Sequence, residues 1–285
     1  MNPRFIRIST AALAFSTLMA CNAPRNLPQN PALVGRAPAT FGRLNQQPTA
    51  TNPNVPGRYI VKYKSGVVSA SSTQQIGAQT LRTLGEGMQV LQLPEVSAAS
   101  LSVLENDPAI EFVEPVFTMP FPEVIRSAED DKLADKVSFP NDPGFGKQYS
   151  LRVTEALRGW GVTRGDRRVV IGIVDSGVDV NHPDLGPKIV GVYNGADGNS
   201  DVKDFVGHGT HVAGIASAIT NNGVGIAGAA PDCAILAVKV ASGDSGYPST
   251  EGIANGIIWA ADHGADVINL SLGAGRESKA ITAAV

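Results

Sequence analysis

The feature that most constrains this chain is an apolar, β-branched run at 169–174 that ends in Asp175. The sequence reads VVIGIVDSGVDVNHPDL over 169–185, and GHGTHVAG follows at 207–214. A continuous apolar run of this kind predicts a strand that is buried on both faces of a parallel sheet. Open α/β sheets bind ligands at the carboxyl ends of their strands, and Asp175 lies at such an end.

His208 lies 33 residues after Asp175, and from this histidine onward small and apolar residues recur with helical spacing. An imidazole at the start of a helix, within reach of Asp175, can take a proton from a serine hydroxyl. The carboxylate would fix the tautomer of the ring and stabilise the imidazolium. The alternative is a structural aspartate and a core histidine that share a sheet by chance, which two motifs in the expected order argue against.

From about residue 141 to residue 285 the chain resembles the first half of a subtilisin-like serine protease domain, and its pattern is closest to the thermitase-like branch of the subtilase family. The motifs are DSG around Asp175, HGTHVAG around His208 and VINLSLG at 267–273. The resemblance implies an α/β fold with a mostly parallel sheet and helices on both faces. It also implies that Asp175 and His208 are two members of a Ser-His-Asp triad in a serine endopeptidase.

The resemblance further implies that the C-terminal part of the catalytic domain, with the nucleophilic serine and an oxyanion-hole asparagine, is absent from this sequence. We therefore expect this chain by itself to have no useful peptidase activity. The segment GDSGYP at 243–248 resembles the GDSGGP of chymotrypsin-like enzymes. Those enzymes run His, Asp, Ser on antiparallel barrels, so Ser245 is interpreted as a loop residue.

Two edges are implied to hold polypeptide substrates by main-chain hydrogen bonds beside the specificity pocket. One edge is Asp244, Ser245 and Gly246, and the other is Ser271, Leu272 and Gly273.

A structural calcium ion is the cofactor that the resemblance implies. The segments NDPGFGKQY, HPDL and ITNNGVGIAG resemble three segments that form a calcium site in thermitase-like enzymes. Oxygen ligands from loops suit Ca²⁺. The implied ligands are side-chain oxygens of Asp142, Asp184 and Asn222 and backbone carbonyls of Ile219, Val224 and Ile226. The alternative is that each polar residue only stabilises its own turn.

Residues 57–118 alternate strand and helix patterns, with RYIVKYK, TQQIGAQTLRTL, MQVLQL, SAASLSVLEND and IEFVEP in succession. We read TQQIGAQTLRTL as helical, and the β-α-β-β-α-β rhythm predicts a small α+β domain of the ferredoxin-like type. It resembles the inhibitory propeptide of subtilisins, which implies that it binds its own catalytic domain. From the pattern alone, a generic small domain is the alternative.

At the N-terminus, Arg4 and Arg7 accompany a mostly apolar stretch at 8–19 that is too short to span a membrane and is typical of a signal-peptide core. Leu, Met, Ala and Cys at 18–21 resemble a bacterial lipobox, which implies lipidation of Cys21 and a membrane anchor. An ordinary secretory signal is the alternative. The protein is thus expected to be exported from a bacterial cell, as a membrane-anchored lipoprotein or an extracellular protein.

Residues 22–56 contain seven prolines and little apolar content, which indicates a flexible tether. The predicted organisation is a lipoprotein signal peptide at 1–20, a linker at 21–56, a propeptide-like domain at 57–118, a connector at 119–140 and the N-terminal half of a catalytic domain at 141–285. The net charge of −3 gives no electrostatic reason to expect nucleic-acid binding. A second hypothesis for function is a non-catalytic lipoprotein whose propeptide-like domain acts as a protease inhibitor or chaperone.

Overall fold

The structure is a computed structural model that describes residues 7–10, 53–67, 70–120, 139–244, 246–273 and 276–285. Its strands are β1 (Arg7–Thr10), β2 (Asn54–Tyr63), β3 (Gln79–Thr83), β4 (Met88–Gln92), β5 (Ile110–Phe117), β6 (Val170–Asp175), β7 (Ile189–Asn194), β8 (Ala234–Lys239) and β9 (Val267–Leu270). Its α-helices are α1 (Ser71–Gln75), α2 (Ala98–Glu105), α3 (Tyr149–Val153), α4 (Ala156–Gly159), α5 (His208–Ser217), α6 (Thr250–Asp262) and α7 (Lys279–Ala284). Short 3₁₀ turns lie at Phe145–Lys147 and Gly186–Lys188.

A parallel five-stranded sheet with the order β1-β9-β6-β8-β7 organises the second part of the chain. Strand β8 is buried along its whole length. Strands β6 and β8 pair from Val170 opposite Ala234 to Asp175 opposite Lys239. The predicted parallel α/β fold is confirmed, and the strand predicted from the apolar run at 169–174 is β6.

Helices α5 and α6 lie on opposite faces of this sheet. Successive side chains of β6 point to opposite faces, so neighbouring residues of this strand contact different helices. Val174 packs in one core cluster with Ile253 and Ile257 of α6. Ile173 packs in another cluster with Ala213 of α5. Because both faces of the central strands are covered, their sequences are continuous apolar runs.

A four-stranded antiparallel sheet with the order β3-β4-β2-β5 forms a second unit at 53–120. Its element order is β-α-β-β-α-β, as the rhythm of the sequence predicts. The helix read from TQQIGAQTLRTL is wrong beyond Gln75. Gly77 has a φ of 65° and ends the helix, with Ala78 N donating to Thr73 O, so the chain reverses and 79–83 becomes β3.

The antiparallel unit packs on helices α6 and α7. Ile60 and Val116 share a core cluster with Ala254 and Ala280. The Glu114 carboxylate accepts hydrogen bonds from Ser278 Oγ, Lys279 N and Ala280 N at 2.7–3.1 Å, at the start of α7. This contact gives the first turn of α7 the acceptors that a helix start requires.

Two arginines of the antiparallel unit meet one buried acid of α6. Arg58 Nη1 lies 3.2 Å from Glu251 Oε2, and Arg82 Nε lies 3.6 Å from Glu251 Oε1. The side chain of Glu251 is only 4% exposed. Arg82 also donates to the carbonyls of Gly195 and Ala196. Charge pairing therefore accompanies the apolar contact between the two units.

Several predicted features lie outside the described residues. These are Cys21, most of the signal-like segment and linker, and residues 121–138 of the connector predicted at 119–140. From the segment 1–20 only the strand β1 is described, and it pairs in parallel with β9. Among the helices of the described ranges, none combines the length and the apolar character needed to cross a bilayer.

Candidate active site

Asp175 is the last residue of β6, and its side chain is fully buried. Its Oδ1 lies 2.7 Å from His208 Nδ1 and also accepts a hydrogen bond from Ser176 N at 2.7 Å. Because an ionised carboxylate only accepts hydrogen bonds, Nδ1 of the ring carries the proton. In the neutral imidazole, Nε2 is then the basic nitrogen. The structure thus brings together the two residues whose contact the motifs around them predicted.

Burial raises the pKa of Asp175 above its ordinary value, although hydrogen bonds from His208 and Ser176 oppose this effect. Within the part of the chain that the structure describes, the other oxygen, Oδ2, is buried without a hydrogen-bond partner. The hydrogen bonds that stabilise this carboxylate therefore come from His208 Nδ1 and Ser176 N, both to Oδ1.

His208 opens helix α5 after Gly207, which has a φ of 81° and supplies no capping side chain. The His208 side chain is 8% exposed. Gly209 allows the helix to approach β6 closely, because a Cβ there would lie 2.1 Å from Gly177 O and 3.0 Å from Asp175 Cβ. The glycine of the HGTH sequence is therefore a requirement of the contact between the aspartate and the histidine.

The predicted substrate edges are located but only partly described. Ser271, Leu272 and Gly273 directly follow β9, which ends at Leu270. Asp244 and Gly246 lie in the loop after β8, and Ser245 between them is outside the described residues.

A cavity of about 190 Å³ lies beside the second edge. Its lining includes Leu270, Leu272 and Gly273 together with Met119 of the antiparallel unit. Met119 N donates to Pro248 O at 3.0 Å, and Thr118 forms an antiparallel bridge with Ser249. The segment that follows β5 therefore pairs with residues 248–249 and lines the cavity at the second edge.

Sequence reasoning missed Lys239, which is 2% exposed at the end of β8. Its Nζ donates to Lys203 O at 2.9 Å and to Gly243 O at 2.8 Å. This cation joins the loop that precedes His208 to the loop of the first substrate edge. A lysine inside the apolar run AILAVKV was the available signal, since a buried lysine requires acceptors.

The residues predicted to bind calcium form a loop cluster, defined as Asp142, Asp184 and Asn222. Asp142 and Asp184 are 3% and 1% exposed. Asn222 joins them, because its backbone N donates to Asp142 Oδ1 at 3.3 Å and its Nδ2 donates to Asp184 Oδ1 at 2.8 Å. Three segments that are distant in the sequence thus meet at this cluster.

Ile219, Val224 and Ile226 also contact the loop cluster, through their backbone amides. Ile219 N donates to Asp184 O, Val224 N to Asn222 Oδ1 and Ile226 N to Asp184 Oδ2. Across the described ranges, no group of three or more His, Cys, Asp or Glu side chains is placed to hold a metal. The predicted set has only two carboxylates, because its remaining ligands are amide and carbonyl oxygens.

Comparison with known proteins finds a matching family. The Subtilase family matches residues 166–284. A thermophilic serine proteinase of Bacillus sp. (strain AK1) is 38% identical over 226 residues, which cover 77% of this chain and 52% of that protein. Thermitase of Thermoactinomyces vulgaris is 50% identical over 135 residues, covering 47% of this chain and 48% of thermitase. The chain spans about half the length of these two relatives.

Among solved structures, fervidolysin from Fervidobacterium pennivorans, described as a keratinolytic enzyme related to subtilisin, superposes with a TM-score of 0.67. The alignment covers 81% of this chain and 38% of fervidolysin at 24% identity. At that identity the likeness establishes the fold.

Proposed function

This chain belongs to the Subtilase family, and we propose that it forms the aspartate- and histidine-bearing part of a serine endopeptidase that hydrolyses polypeptides. The single observation that carries the proposal is the 2.7 Å contact between Asp175 Oδ1 and His208 Nδ1 at the carboxyl edge of the sheet. The reaction also requires a serine nucleophile.

In the proposed reaction, His208 Nε2 takes the proton of the serine hydroxyl as that oxygen attacks the scissile carbonyl carbon. The imidazolium then gives this proton to the leaving amine, and the cycle repeats with water on the acyl-enzyme. Asp175 keeps the proton on Nδ1 and stabilises the imidazolium. The buried position of Asp175 strengthens this interaction, because a low local dielectric screens the charges less than water does.

Residues 53–120 would act as the protein's own inhibitory propeptide. Two features support this role: the antiparallel bridge of Thr118 to Ser249, and the presence of Met119 in the lining of the cavity beside Leu272. An extended segment held by main-chain hydrogen bonds at this position would exclude a polypeptide substrate from the same edge.

Calcium at the loop cluster is the proposed structural cofactor. Asp142 and Asp184 are buried carboxylates whose hydrogen-bond donors are neutral amides, and none of the ion pairs among the described residues involves them. Two buried acids without a cationic partner are costly, so the donor set fits a hard cation. Ligation by Asn222 would need its amide reversed, since Nδ2 now faces Asp184.

Export from a bacterial cell, with a lipid anchor at Cys21, completes the proposal. The signal-like stretch at 8–19 and the lipobox-like residues 18–21 support it. Labelled fatty acid should enter the wild-type protein but not Cys21→Ser, and the variant should leave the membrane fraction. Equal fatty-acid labelling of the two proteins would exclude lipidation at Cys21, and the N-terminal segment would then be interpreted as an ordinary secretory signal.

The test of the catalytic proposal uses the complete product of the gene, with whatever codons follow Val285, beside the 1–285 chain. We expect the complete product to hydrolyse casein and to react with a serine-directed fluorophosphonate. Both properties should be lost in His208→Ala. Casein hydrolysis that survives His208→Ala would exclude the proposed role of this histidine.

A further inference from the structure

Helix α5, which carries His208, has its first amides capped by two side chains from outside the helix. The N-cap residue, Gly207, has no side chain with which to accept a hydrogen bond. Instead, Gly209 N donates to Ser176 Oγ at 2.9 Å, and Thr210 N donates to Asp204 Oδ2 at 2.9 Å. Helix starts need such acceptors, so the position of α5 depends on these two residues.

The Asp204 carboxylate accepts five hydrogen bonds. Its Oδ1 accepts from Ser176 Oγ at 2.9 Å, Gly207 N at 2.8 Å and Val206 N at 3.1 Å. Its Oδ2 accepts from Thr210 N and from Thr210 Oγ1 at 2.7 Å. Burial acts to raise the pKa of Asp204, but hydrogen bonds from Thr210, Gly207 and Ser176 outweigh it and hold that pKa below its ordinary value. Asp204 is therefore an anion at neutral pH.

Ser176 connects this carboxylate to the catalytic pair, defined as Asp175 and His208. It directly follows Asp175, and its hydroxyl accepts from Gly209 N and donates to Asp204. The end of β6 and the start of α5 are thus joined twice, once by the contact within the catalytic pair and once through Ser176 and Asp204.

The geometry points to Asp204 as a positioning residue for the catalytic pair. It holds the first turn of α5 against the end of β6, which orients the His208 ring toward Asp175. As an anion at the start of a helix, it also offsets the positive end of the helix dipole, which would otherwise oppose an imidazolium at His208. This inference rests on the proposed function in taking Asp175 and His208 as the reacting pair.

The experiment observes the Nδ1–H proton of His208 by NMR in the 1–285 chain with ¹⁵N-labelled histidine. Wild type should show one tautomer and a downfield Nδ1–H signal that Asp175→Asn abolishes. In Asp204→Asn, exchange of this proton with water should be about five- to tenfold faster, because a lost cap raises the population of the frayed first turn by roughly that factor. A mixture of tautomers should accompany the faster exchange.

Asp201→Asn is the matched control, because it removes the same charge from the same loop. The Asp201 carboxylate accepts a hydrogen bond from Lys203 N at 3.1 Å, within its own loop. Ser176→Ala is the second variant and removes only the bridging hydroxyl. If Asp204→Asn does not fold by circular dichroism, Ser176→Ala gives the result on the same proton.

If the exchange rate and the tautomer in Asp204→Asn equal those in Asp201→Asn, the positioning role of Asp204 is overturned while the catalytic pair stands. Where Asp204→Asn does not fold, the same comparison is made with Ser176→Ala. A wild-type chain without the Nδ1–H signal would instead overturn the catalytic pair, and this inference with it. Faster exchange confined to Asp204→Asn and Ser176→Ala would establish the positioning role.

Discussion

Two groups of buried carboxylates in this protein differ in what compensates their charge. Asp175 of the catalytic pair faces a titratable imidazole at 2.7 Å. In the loop cluster, Asp142 and Asp184 accept hydrogen bonds from neutral amides alone. A partner that gains and loses a proton suits catalysis of proton transfer, whereas an unneutralised pair of acids suits a bound cation. Burial is common to both groups, so the partner of a buried acid, and not its burial, indicates its chemical role.

The largest expected difference between the two groups concerns turnover. In the complete product, Asp175→Asn should lower kcat for casein by about 10⁴-fold, because the imidazole loses the tautomer that makes Nε2 basic. Asp184→Asn at saturating calcium should change kcat little. Initial rates of casein hydrolysis measure both. A comparable loss of kcat in the two variants would contradict the separation of roles.

The next effect concerns calcium and stability. At a calcium concentration about 100 times Kd, binding should stabilise the 1–285 chain by about 2.7 kcal/mol, which corresponds to a rise in Tm of roughly 5–10 °C. Asp184→Asn should abolish this shift. Asp179→Asn, a change at an exposed acid of the same region, should retain it. Thermal melts with calcium and with EDTA measure the shift in Tm. Equal shifts in the two variants would rule out the loop cluster as the binding site.

Glu251 is a third kind of buried acid, because two arginine side chains compensate its charge. It lies between Arg58 and Arg82 and is 4% exposed, so Glu251→Gln should cost about 1–3 kcal/mol of unfolding free energy. The control is Glu155→Gln, which removes an exposed pair with Arg158 and should cost at most about 0.5 kcal/mol. Urea titration of both variants measures this. Indistinguishable midpoints would mean that the contact between the two units does not depend on this charge pairing.

The smallest effect is a change in the pH dependence of stability. Because the pKa of Asp175 is raised in the folded chain, the folded state binds more protons than the unfolded state between the ordinary value of 3.8 and the raised value. This group therefore lowers stability as pH rises through that window. Asp175→Asn should gain stability relative to wild type over the same window. Parallel pH curves for the two proteins would contradict the raised pKa.

The sequence predicted the elements whose signals are local and missed those set by distant partners. Asp175 and His208 lie in short motifs at a defined strand end and helix start, so their contact could be predicted. Gly77 ended a helix that the spacing of apolar residues had suggested for 73–84, because a turn glycine outweighs weak periodicity. Asp204 gave no local signal. Its importance comes from donors on β6 and α5 that only the folded chain assembles.

The contact of Glu114 with helix α7 has a consequence for folding order and for processing. Helix α7 has six residues, which is too few for a stable isolated helix, and Glu114 lies 166 residues before Ala280. The helix start is thus completed only after a contact of large sequence separation has formed, and such contacts slow folding. If the proposed proteolytic maturation removes residues 53–120, solvent has to supply the lost acceptors, and α7 should then fray more readily than in the unprocessed chain.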